Sequence, residues 1–545
     1  MPQLTINGQV CEFEPGQNIL QVALDAGIEV PHYCWHPSLS VVANCRICLA
    51  EVWAPNPRNE GKLEPLPKLV PTCQTPAAEG QVIYTDSPKA IGNQKAVMEY
   101  LLINHPVDCP VCDQAGECHL QDYSYQYGRS HSRFQEQKIK QPKKDVGPHV
   151  LLYSDRCIMC TRCVRFTREI TGTNELIVDG RGAYEQIDVF PGMALDNPLS
   201  GNVIDLCPVG ALLDKDFLFQ QRVWLLKKTP SIDGLTASGD NIDIHHNEGV
   251  VYRVKPRYNP DVNGHWITDE VRYGWKHVHS EDRGLMPAVR GEDPAPEERA
   301  REAWERAEEA VVAGLTGRDR ILLVVSPMLS CEDAYHLATW VRALEGDVSF
   351  AVGPVPFEGE DRTFLDGFTV IAEKAPNARG VRRVLEGFGG EVLDFDAAMK
   401  RAGDFGGIVV TGNYPSAWVT EETAAAIPDE AFLVVIDTLP NALMGRADVI
   451  LPGATWMEKA GTFENVKNRL QAFDRAIEPL DYCKSEAQIA IDLLARARGE
   501  RPAAHNPAMT RQAIASELGL AEFLDVATPS ATKVHIEPDM ELVEL

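Results

Sequence analysis

The cysteines are the feature that most constrains this chain. Twelve of the fourteen lie before residue 208, and eleven of those twelve fall into three groups that each contain a closely spaced pair or triplet. No basic stretch followed by an apolar run opens the sequence, so we expect no secretory leader. In such a chain, closely spaced cysteines are more often metal ligands than disulfide partners. We therefore expect this part of the chain to fold around metal centres.

The first set of candidate ligands is Cys34, Cys45, Cys48 and Cys73, spaced C-x10-C-x2-C-x24-C. A tight pair beside a loop cysteine, with a distant fourth, is typical of a plant-type [2Fe–2S] centre. The segment follows a predicted strand, turn, strand and a helix near Gln17–Ala26, as in a β-grasp ferredoxin. A structural zinc site is the alternative, but such a long loop is unusual in a zinc knuckle.

The third set is Cys157, Cys160, Cys163 and Cys207. A C-x2-C-x2-C run with a remote Cys-Pro is the bacterial ferredoxin arrangement, whose two-cluster form has a second cysteine-proline close to the run. Thr167 stands where that nearer cysteine would be, so this segment keeps ligands for one [4Fe–4S] cluster. Three thiolates on one tight loop suit a face of an iron–sulfur cube better than a zinc ion.

The second set begins with Cys109, Cys112 and Cys118, and no fourth cysteine is left nearby. The remaining candidates are His105 and His119. A lone histidine after a helix is by default a capping or surface residue, but a cubane needs four protein ligands and imidazole can bind iron. Pro106 stiffens the chain after His105, while His119 is adjacent to Cys118 and has difficulty reaching the opposite corner. Spacing alone therefore favours His105 over His119.

Residues 220–545 have a different character. We predict strands near 321–326, 348–352, 407–411, 432–437 and 448–451, and helices near 296–313, 332–344 and 486–497. This alternation is typical of a parallel α/β sheet, so the fold class is α/β overall. Pro294–Glu309 is predicted to be a solvated surface helix, and the proline-rich Leu49–Thr72 a long loop. Three further cysteines are interpreted as packing residues: Cys11, Cys331 and Cys483.

Composition and motifs exclude several functions. The formal net charge of −27 disfavours nucleic acid and anionic lipid as partners. No apolar run reaches the length of a membrane helix, so we expect a soluble chain that meets a membrane only through other subunits. Glycine-rich stretches lack the strand–GxGxxG–helix order of a nucleotide site. No nucleophile pattern stands out, so we expect no catalytic residue and no cofactor site beyond the metal clusters.

Together, the three cysteine motifs resemble those of the large iron–sulfur subunit of respiratory complex I, the NADH–quinone oxidoreductase. The resemblance implies that His105 is a cluster ligand. It also implies a β-grasp [2Fe–2S] domain over residues 1–85, a His/Cys3 [4Fe–4S] domain over 86–148 and a ferredoxin-like [4Fe–4S] domain over 149–219. The implied role is electron transfer from NADH, oxidised at a flavin on a neighbouring subunit, toward quinone. The implied partners are that subunit and others of the peripheral arm, at the cytoplasmic face of a bacterial inner membrane.

Residues 220–545 resemble a degenerate molybdopterin oxidoreductase domain. Some relatives hold a further [4Fe–4S] cluster there, and this chain has non-cysteine residues at the matching positions, which are Asp233, Thr236, Asp240 and Thr268. We therefore expect that cluster to be lost, and no molybdopterin, leaving one [2Fe–2S] and two [4Fe–4S] clusters. Three alternatives are a subunit of an NAD-linked hydrogenase or formate dehydrogenase, a structural protein and a zinc scaffold.

Overall fold

The computed structural model describes residues 1–283, 286–292, 299–526 and 529. It divides into two compact units. The first comprises Met1–Leu226 and the short segment Phe364–Gly367, and the second comprises Lys227–Thr363 and the described residues from Phe368 onward. Within the described chain, no helix is both long enough and apolar enough to cross a lipid bilayer.

A six-stranded sheet opens the first unit. Its elements are β1 (Gln3–Ile6), β2 (Gln9–Glu12), α1 (Ile19–Asp25), β3 (Leu49–Asn56), β4 (Lys62–Pro65), β5 (Val70–Pro71) and β6 (Val82–Tyr84). The strand order is β2-β1-β6-β3-β4, with β5 also paired to β3, and β1 runs parallel to β6. Alternate residues of β1, Leu4 and Ile6, pack against Ile19 and Leu20 of α1. A capping box between Asn18 and Gln21 starts this helix close to its predicted position.

The prediction of a long loop over Leu49–Thr72 is wrong, because three strands lie there. β3 pairs with β6 through residues 51–53 and with β4 through residues 53–56. Proline lacks the N–H that an interior strand must donate, which is why the prolines suggested a loop. Here β4 is an edge strand and Pro65 is its last residue. No strand lies on the outer side of β4, so the N–H that proline lacks has no partner to lose on that side.

Short elements complete the first unit. They are α2 (Pro88–Leu102), α3 (His119–Tyr127), β7 (Lys143–Asp145), β8 (Val150–Tyr153), α4 (Arg162–Glu169), β9 (Leu176–Asp179), β10 (Gln186–Val189), α5 (Asn202–Leu206) and β11 (Leu212–Asp214). As predicted, Ser87 caps α2, accepting a hydrogen bond from the Ala90 N–H at 3.3 Å. In the segment Phe364–Gly367, the Leu365 N–H donates to the Ile170 carbonyl at 3.1 Å.

The second unit is an α/β fold, as predicted. Its elements are β12 (Lys227–Ile232), β13 (Asn241–Asn247), β14 (Val250–Pro256), α6 (Asp269–Tyr273), β15 (Ala288–Val289), α7 (Ala300–Leu315), β16 (Arg320–Val325), α8 (Cys331–Arg342), β17 (Asp347–Val352), β18 (Arg362–Thr363), β19 (Thr369–Val370), α9 (Ala378–Gly387), β20 (Val392–Asp394), α10 (Phe395–Lys400), β21 (Gly407–Thr411), α11 (Glu421–Ala425), β22 (Phe432–Asp437), β23 (Val449–Pro452), β24 (Gly461–Glu464), β25 (Leu470–Phe473), α12 (Glu486–Arg498) and α13 (Pro507–Glu517).

The main sheet of this unit has the order β15-β23-β22-β21-β16-β17-β20. All neighbours are parallel except β15 and β23. Along β16, Leu323 and Val325 face one hydrophobic cluster, whereas Leu322 and Val324 face another. A parallel sheet buried on both faces needs such continuous apolar strands, which explains why the sequence revealed them.

The helix expected near residues 296–313 is α7, and one of its faces is not solvated. Trp304, Ala307, Val311 and Leu315 are buried in the core on one side of the sheet. Apolar residues at these spacings lie on one side of a helix, and the charged residues occupy the other. The predicted beginning of this helix, residues 294–298, lies outside the described residues.

A buried ion network joins α8 and α12. The Lys459 ammonium lies 2.9 Å from the Asp333 carboxylate and also contacts Glu486, and all three side chains are at most 3% exposed. Asp333 completes the capping box at the start of α8, and Glu486 is the first residue of α12. The Lys459 cation therefore compensates two buried carboxylates, each of which lies in the first turn of a helix.

We expect Lys459→Met to destabilise the second unit by about 3–5 kcal/mol, because it leaves two buried carboxylates without a counterion. Urea unfolding followed by tryptophan fluorescence measures the change. Arg301→Met is the control, since Arg301 is 87% exposed and pairs with Glu305 on the same helix. Its loss should leave the free energy of unfolding nearly unchanged, because an exposed ion pair contributes little. Equal losses in the two variants would contradict this account.

Candidate metal centres

The first set lies in the loop before β3 and in the turn after β5. The structure brings all four thiols together, because Cys34 is hydrogen-bonded to Cys45 and Cys73, and Cys73 also to Cys48. These bonds lower the pKa of the Cys34 thiol and raise the pKa of Cys45 and of Cys73. Four sulfurs in mutual contact form a soft, electron-rich donor set.

The loop that carries these cysteines has an unusual backbone. Ala43 and Arg46 have left-handed conformations, with φ of 48° and 59°. Residues with a Cβ keep such angles only where their surroundings hold them. Here Asn93 of α2 donates to the Arg46 carbonyl at 2.8 Å. In the same loop, the backbone N–H groups of Asn44 and Cys45 are directed at the Cys34 sulfur. The loop thus surrounds the site with donors.

The third set surrounds one small cavity. All four of its cysteines line this cavity, together with mainly apolar side chains that include Leu152, Ile158 and Val209. Cys163 belongs to α4, and Cys207 follows the last residue of α5. Burial raises the pKa of Cys207 to about 11, because a thiolate is poorly solvated there. A cation that replaces the proton is what stabilises thiolates in such a place.

Backbone N–H groups also point at the sulfurs of the third set. The Met159 N–H lies 3.3 Å from Cys157 Sγ, and the N–H of Val209 is directed at Cys207. Met159 and Thr161, between the cysteines, have left-handed φ values of 52° and 60°. As in the first set, the strained residues turn peptide donors toward sulfur, where such bonds adjust the potential of a bound cluster.

The second set is less closely gathered. His105, Cys109 and Cys118 line a broad cavity that is open to solvent. Cys112 is buried beside Gly210, where an added Cβ would stand 2.3 Å from its sulfur. Cys112 nevertheless interacts electrostatically with Cys109 and Cys118, so the three thiols are neighbours. Cys118 caps α3, and the N–H groups of Leu120 and Gln121 face its sulfur.

His105 is the histidine that faces this cavity, whereas His119 packs its ring on Tyr123 with centroids 5.9 Å apart. Burial lowers the pKa of His105 to about 4, so the ring is neutral at pH 7. Its Nδ1 accepts the Val107 N–H at 3.1 Å, which leaves the ring proton on Nε2. Binding a metal through Nε2 therefore requires that proton to leave or to move to Nδ1, which would break the Val107 contact.

The third donor set fits an iron–sulfur cluster better than a single ion. Among the described residues, no three His, Cys, Asp or Glu side chains are placed to hold one metal ion. A zinc ion with four thiolates would need sulfurs about 3.8 Å apart on every edge of a tetrahedron. In a cluster each protein ligand binds its own position on a larger core, so the ligands stand further apart. The third set, spread around a cavity, has that arrangement.

Sequence reasoning missed two features of these sites. Gly210 allows Cys112 to approach the chain that follows Cys207, and its place in "CPVGAL" was the available signal. Three arginines near the cysteines are also buried, which are Arg156, Arg162 and Arg165. The spacing of the last two, three apart on a short helix, indicates a shared face, but nothing in the pattern showed that this face is internal.

The four residues at the positions of the expected lost cluster bond mainly within their own segment. Asp233 accepts the Leu235 N–H at 2.8 Å and also bonds Thr236. Thr268 caps α6, accepting the Val271 N–H at 3.1 Å. Within the described chain, Asp240 Oδ2 is buried without a hydrogen-bond partner. Burial raises the pKa of Asp233 to about 6. These groups are hard oxygen donors, which suit an iron–sulfur cube poorly.

Five family models match the chain. They are a 2Fe-2S iron-sulfur cluster binding domain at residues 2–88, the iron-sulfur binding region of NADH-ubiquinone oxidoreductase-G at 94–133, the ferredoxin-like domain of NADH-quinone oxidoreductase subunit 3 at 147–213, an NDSU1/NuoG-like 4Fe-4S domain of NADH-ubiquinone oxidoreductase at 226–276, and molybdopterin oxidoreductase at 389–496. The fourth of these segments contains no cysteine in this chain.

Curated relatives agree with these matches. The mitochondrial NADH dehydrogenase [ubiquinone] iron-sulfur protein 1 of Solanum tuberosum is 43% identical over 53% of this chain and 38% of its own length. A NADH-quinone oxidoreductase subunit from Rickettsia felis is 35% identical over 66% of this chain and 51% of its own. The chain thus spans about half or less of these relatives.

Among solved structures, an NAD+-reducing [NiFe]-hydrogenase in the H2-reduced state has a chain that is 28% identical, with a TM-score of 0.34, over 41% of this chain and 91% of that one. The ordered cysteine sets, the ferredoxin-like and α/β units and the run of matching models and relatives agree on one assignment. Over the matched residues, the chain is similar to the large iron–sulfur subunits of NADH–quinone oxidoreductase, respiratory complex I.

Proposed function

We propose that this chain is an electron-transfer subunit of a NADH–quinone oxidoreductase. It would carry electrons that come from NADH through a flavin on a neighbouring subunit and that leave toward quinone. The observation that supports this most is the placement of twelve candidate ligands, eleven cysteines and His105, as three sets in one unit. No catalytic residue is proposed on this chain, because its thiols outside packing positions are all cluster ligands.

The proposed cofactors are one [2Fe–2S] cluster on the first set and one [4Fe–4S] cluster on each of the second and third sets. Bound clusters of this kind accept and release single electrons. The chain's own residues supply the ligands, keep water away from the sulfurs of the third set and direct peptide N–H groups at them. We propose no cluster at Asp233, Thr236, Asp240 and Thr268, and no molybdopterin in the second unit.

We also propose the domain boundaries 1–85, 86–148, 149–219 and 220–545, of which the last boundary lies seven residues before the break between the two compact units. The proposed partners are the flavin-binding subunit and other subunits of the peripheral arm. We propose that the chain lies at the cytoplasmic face of a bacterial inner membrane and reaches it only through those subunits. The acidic balance of the chain supports the absence of direct lipid contact.

Metal analysis of the anaerobically purified full chain tests the cluster count. We expect about ten irons and about ten acid-labile sulfides per chain, the content of one [2Fe–2S] and two [4Fe–4S] clusters. Molybdenum and tungsten should be below stoichiometric levels. About fourteen irons would instead indicate a further cube, and the segment 226–276 would be the first place to look for it. Zinc in place of iron would reject the proposal.

Replacing His105 tests the fourth ligand of the second set. His105→Ala should weaken or abolish one [4Fe–4S] signal in electron paramagnetic resonance (EPR) spectra of the reduced chain and leave the other two signals intact. His119→Ala is the matched control and should leave all three unchanged. His105→Cys should keep the cluster and lower its potential, because a thiolate adds negative charge beside the iron. If His119→Ala has the larger effect, His119 is the ligand.

A further inference from the structure

Helix α4 carries two arginines into the interior of the first unit. Arg162 and Arg165 are 6% and 2% exposed. A buried guanidinium keeps its charge at any physiological pH, and burying a charge is costly unless other groups stabilise it. Neither residue lies on the solvent side of the helix, where arginine is normally found. The groups that contact the two guanidinium groups therefore indicate their role.

The groups that accept their hydrogen bonds are backbone carbonyls beside the cysteines. Arg165 donates from one nitrogen to the carbonyls of Cys34 and Cys160, the second at 3.3 Å. Its other nitrogens reach the carbonyls of Ser40 and Thr161. Cys34 belongs to the first set and Cys160 to the third, so one side chain joins a residue of each.

Arg162 makes a parallel connection. It donates to the carbonyl of Trp35, which follows Cys34, and to that of Leu206 at 3.4 Å, which precedes Cys207. Its Nε is buried without a hydrogen-bond partner among the described residues. Asn44, between the first two cysteines of the first set, also donates to the Met159 carbonyl at 3.2 Å. The loops of the two sets are thus joined at several points.

The two positive charges lack a hydrogen-bonded carboxylate within the described part of the chain. Glu169, on the same helix, instead accepts the Ser40 N–H at 2.8 Å and the Ser40 hydroxyl at 2.6 Å. Arg156, near the second set, differs because it forms a partly buried ion pair with Asp108. The charge near the second set is therefore hydrogen-bonded to a carboxylate, whereas the charges between the first and third sets are not, although Glu169 adds negative charge near Arg165.

We propose that Arg165, with Arg162 beside it, is a positioning residue shared by the first and third sets, which fixes their ligand loops together and raises the reduction potentials of both centres. This inference rests on the proposed function. Thiolate ligands and an added electron are negative, so a fixed positive charge close to both sets favours their reduced forms. The thiolates in turn supply negative charge beside the two guanidinium groups, which have no hydrogen-bonded carboxylate among the described residues.

The test is an EPR-monitored redox titration of the full chain with its clusters assembled, together with iron and labile-sulfide analysis. Arg165→Gln should lower the reduction potentials of the first and third centres by at least about 59 mV each. For a one-electron centre, this corresponds to a tenfold change in the ratio of oxidised to reduced cluster. The second centre should not move. Arg165→Lys keeps a charge but loses the fork of hydrogen bonds, so its shifts should be smaller and in the same direction.

Arg168→Gln is the matched control, because Arg168 lies on the same helix, is 60% exposed and pairs with Glu169. It should change none of the three potentials. Unchanged potentials in a fully loaded Arg165→Gln chain, or an equal shift of the second centre, would overturn the inference. If Arg165→Gln loses iron, the potentials of the Arg165→Lys chain are measured instead, and unchanged potentials there would likewise overturn the inference. A wild-type chain without three iron–sulfur signals would reject the proposed function instead, so the two failures are distinguishable.

Discussion

Stabilising negatively charged sulfur is the constraint on which the first unit depends. Each cysteine set solves it with peptide N–H groups, and several of those groups point inward because neighbouring residues adopt left-handed angles. Such angles cost about 1–3 kcal/mol each, so the surrounding bonds must hold them in place. The bond from Asn93 to the Arg46 carbonyl and the arginines of α4 are those bonds. Local strain, loop anchoring and charge compensation are therefore parts of one arrangement.

The sequence predicts the parts of this arrangement that depend on residue type and short spacing. The three cysteine sets, the capped helix α2 and the parallel strands of the second unit were all readable, because tight motifs, caps and apolar runs are local signals. The strands between Leu49 and Pro71 could not be predicted in this way. A proline breaks a strand only where its missing N–H would have faced a neighbouring strand rather than solvent. That depends on sheet position, which no local pattern contains.

The same limit applies to the site. Spacing identified candidate ligands but could not show that Cys112 approaches Gly210, or that Arg165 lies inside the unit. Both facts arise from contacts between segments distant in sequence. His105 is an intermediate case: its position on the cavity agrees with the spacing argument, while the bond from Val107 to its Nδ1 is a detail that only coordinates reveal.

In the second unit, buried polar side chains bond one another at the carboxyl ends of the sheet's strands. Ligands of open α/β folds bind where the strand order reverses, here between β16 and β21. At the carboxyl ends of these and adjacent strands, Asp437 accepts the Asn413 N–H at 2.7 Å, and the Asn413 side chain donates to Glu486 at 3.0 Å. Glu486 in turn contacts Lys459. These polar groups satisfy one another, so the sheet is stable by its own contacts.

The segment Phe364–Gly367 gives the chain an unusual connectivity. It packs with the first unit, through Leu365 against Ile170 and Gly172, although residues on both sides of it belong to the second. The backbone therefore passes between the units three times, at residues 226/227, 363/364 and 367/368. A single protease cut at 226/227 breaks the covalent link to Met1–Leu226, but the segment Phe364–Gly367, which belongs to the same unit, stays in the other fragment. A fragment ending at Leu226 would also lack four residues of its own unit, so dissection of this chain calls for an internal graft rather than a simple truncation.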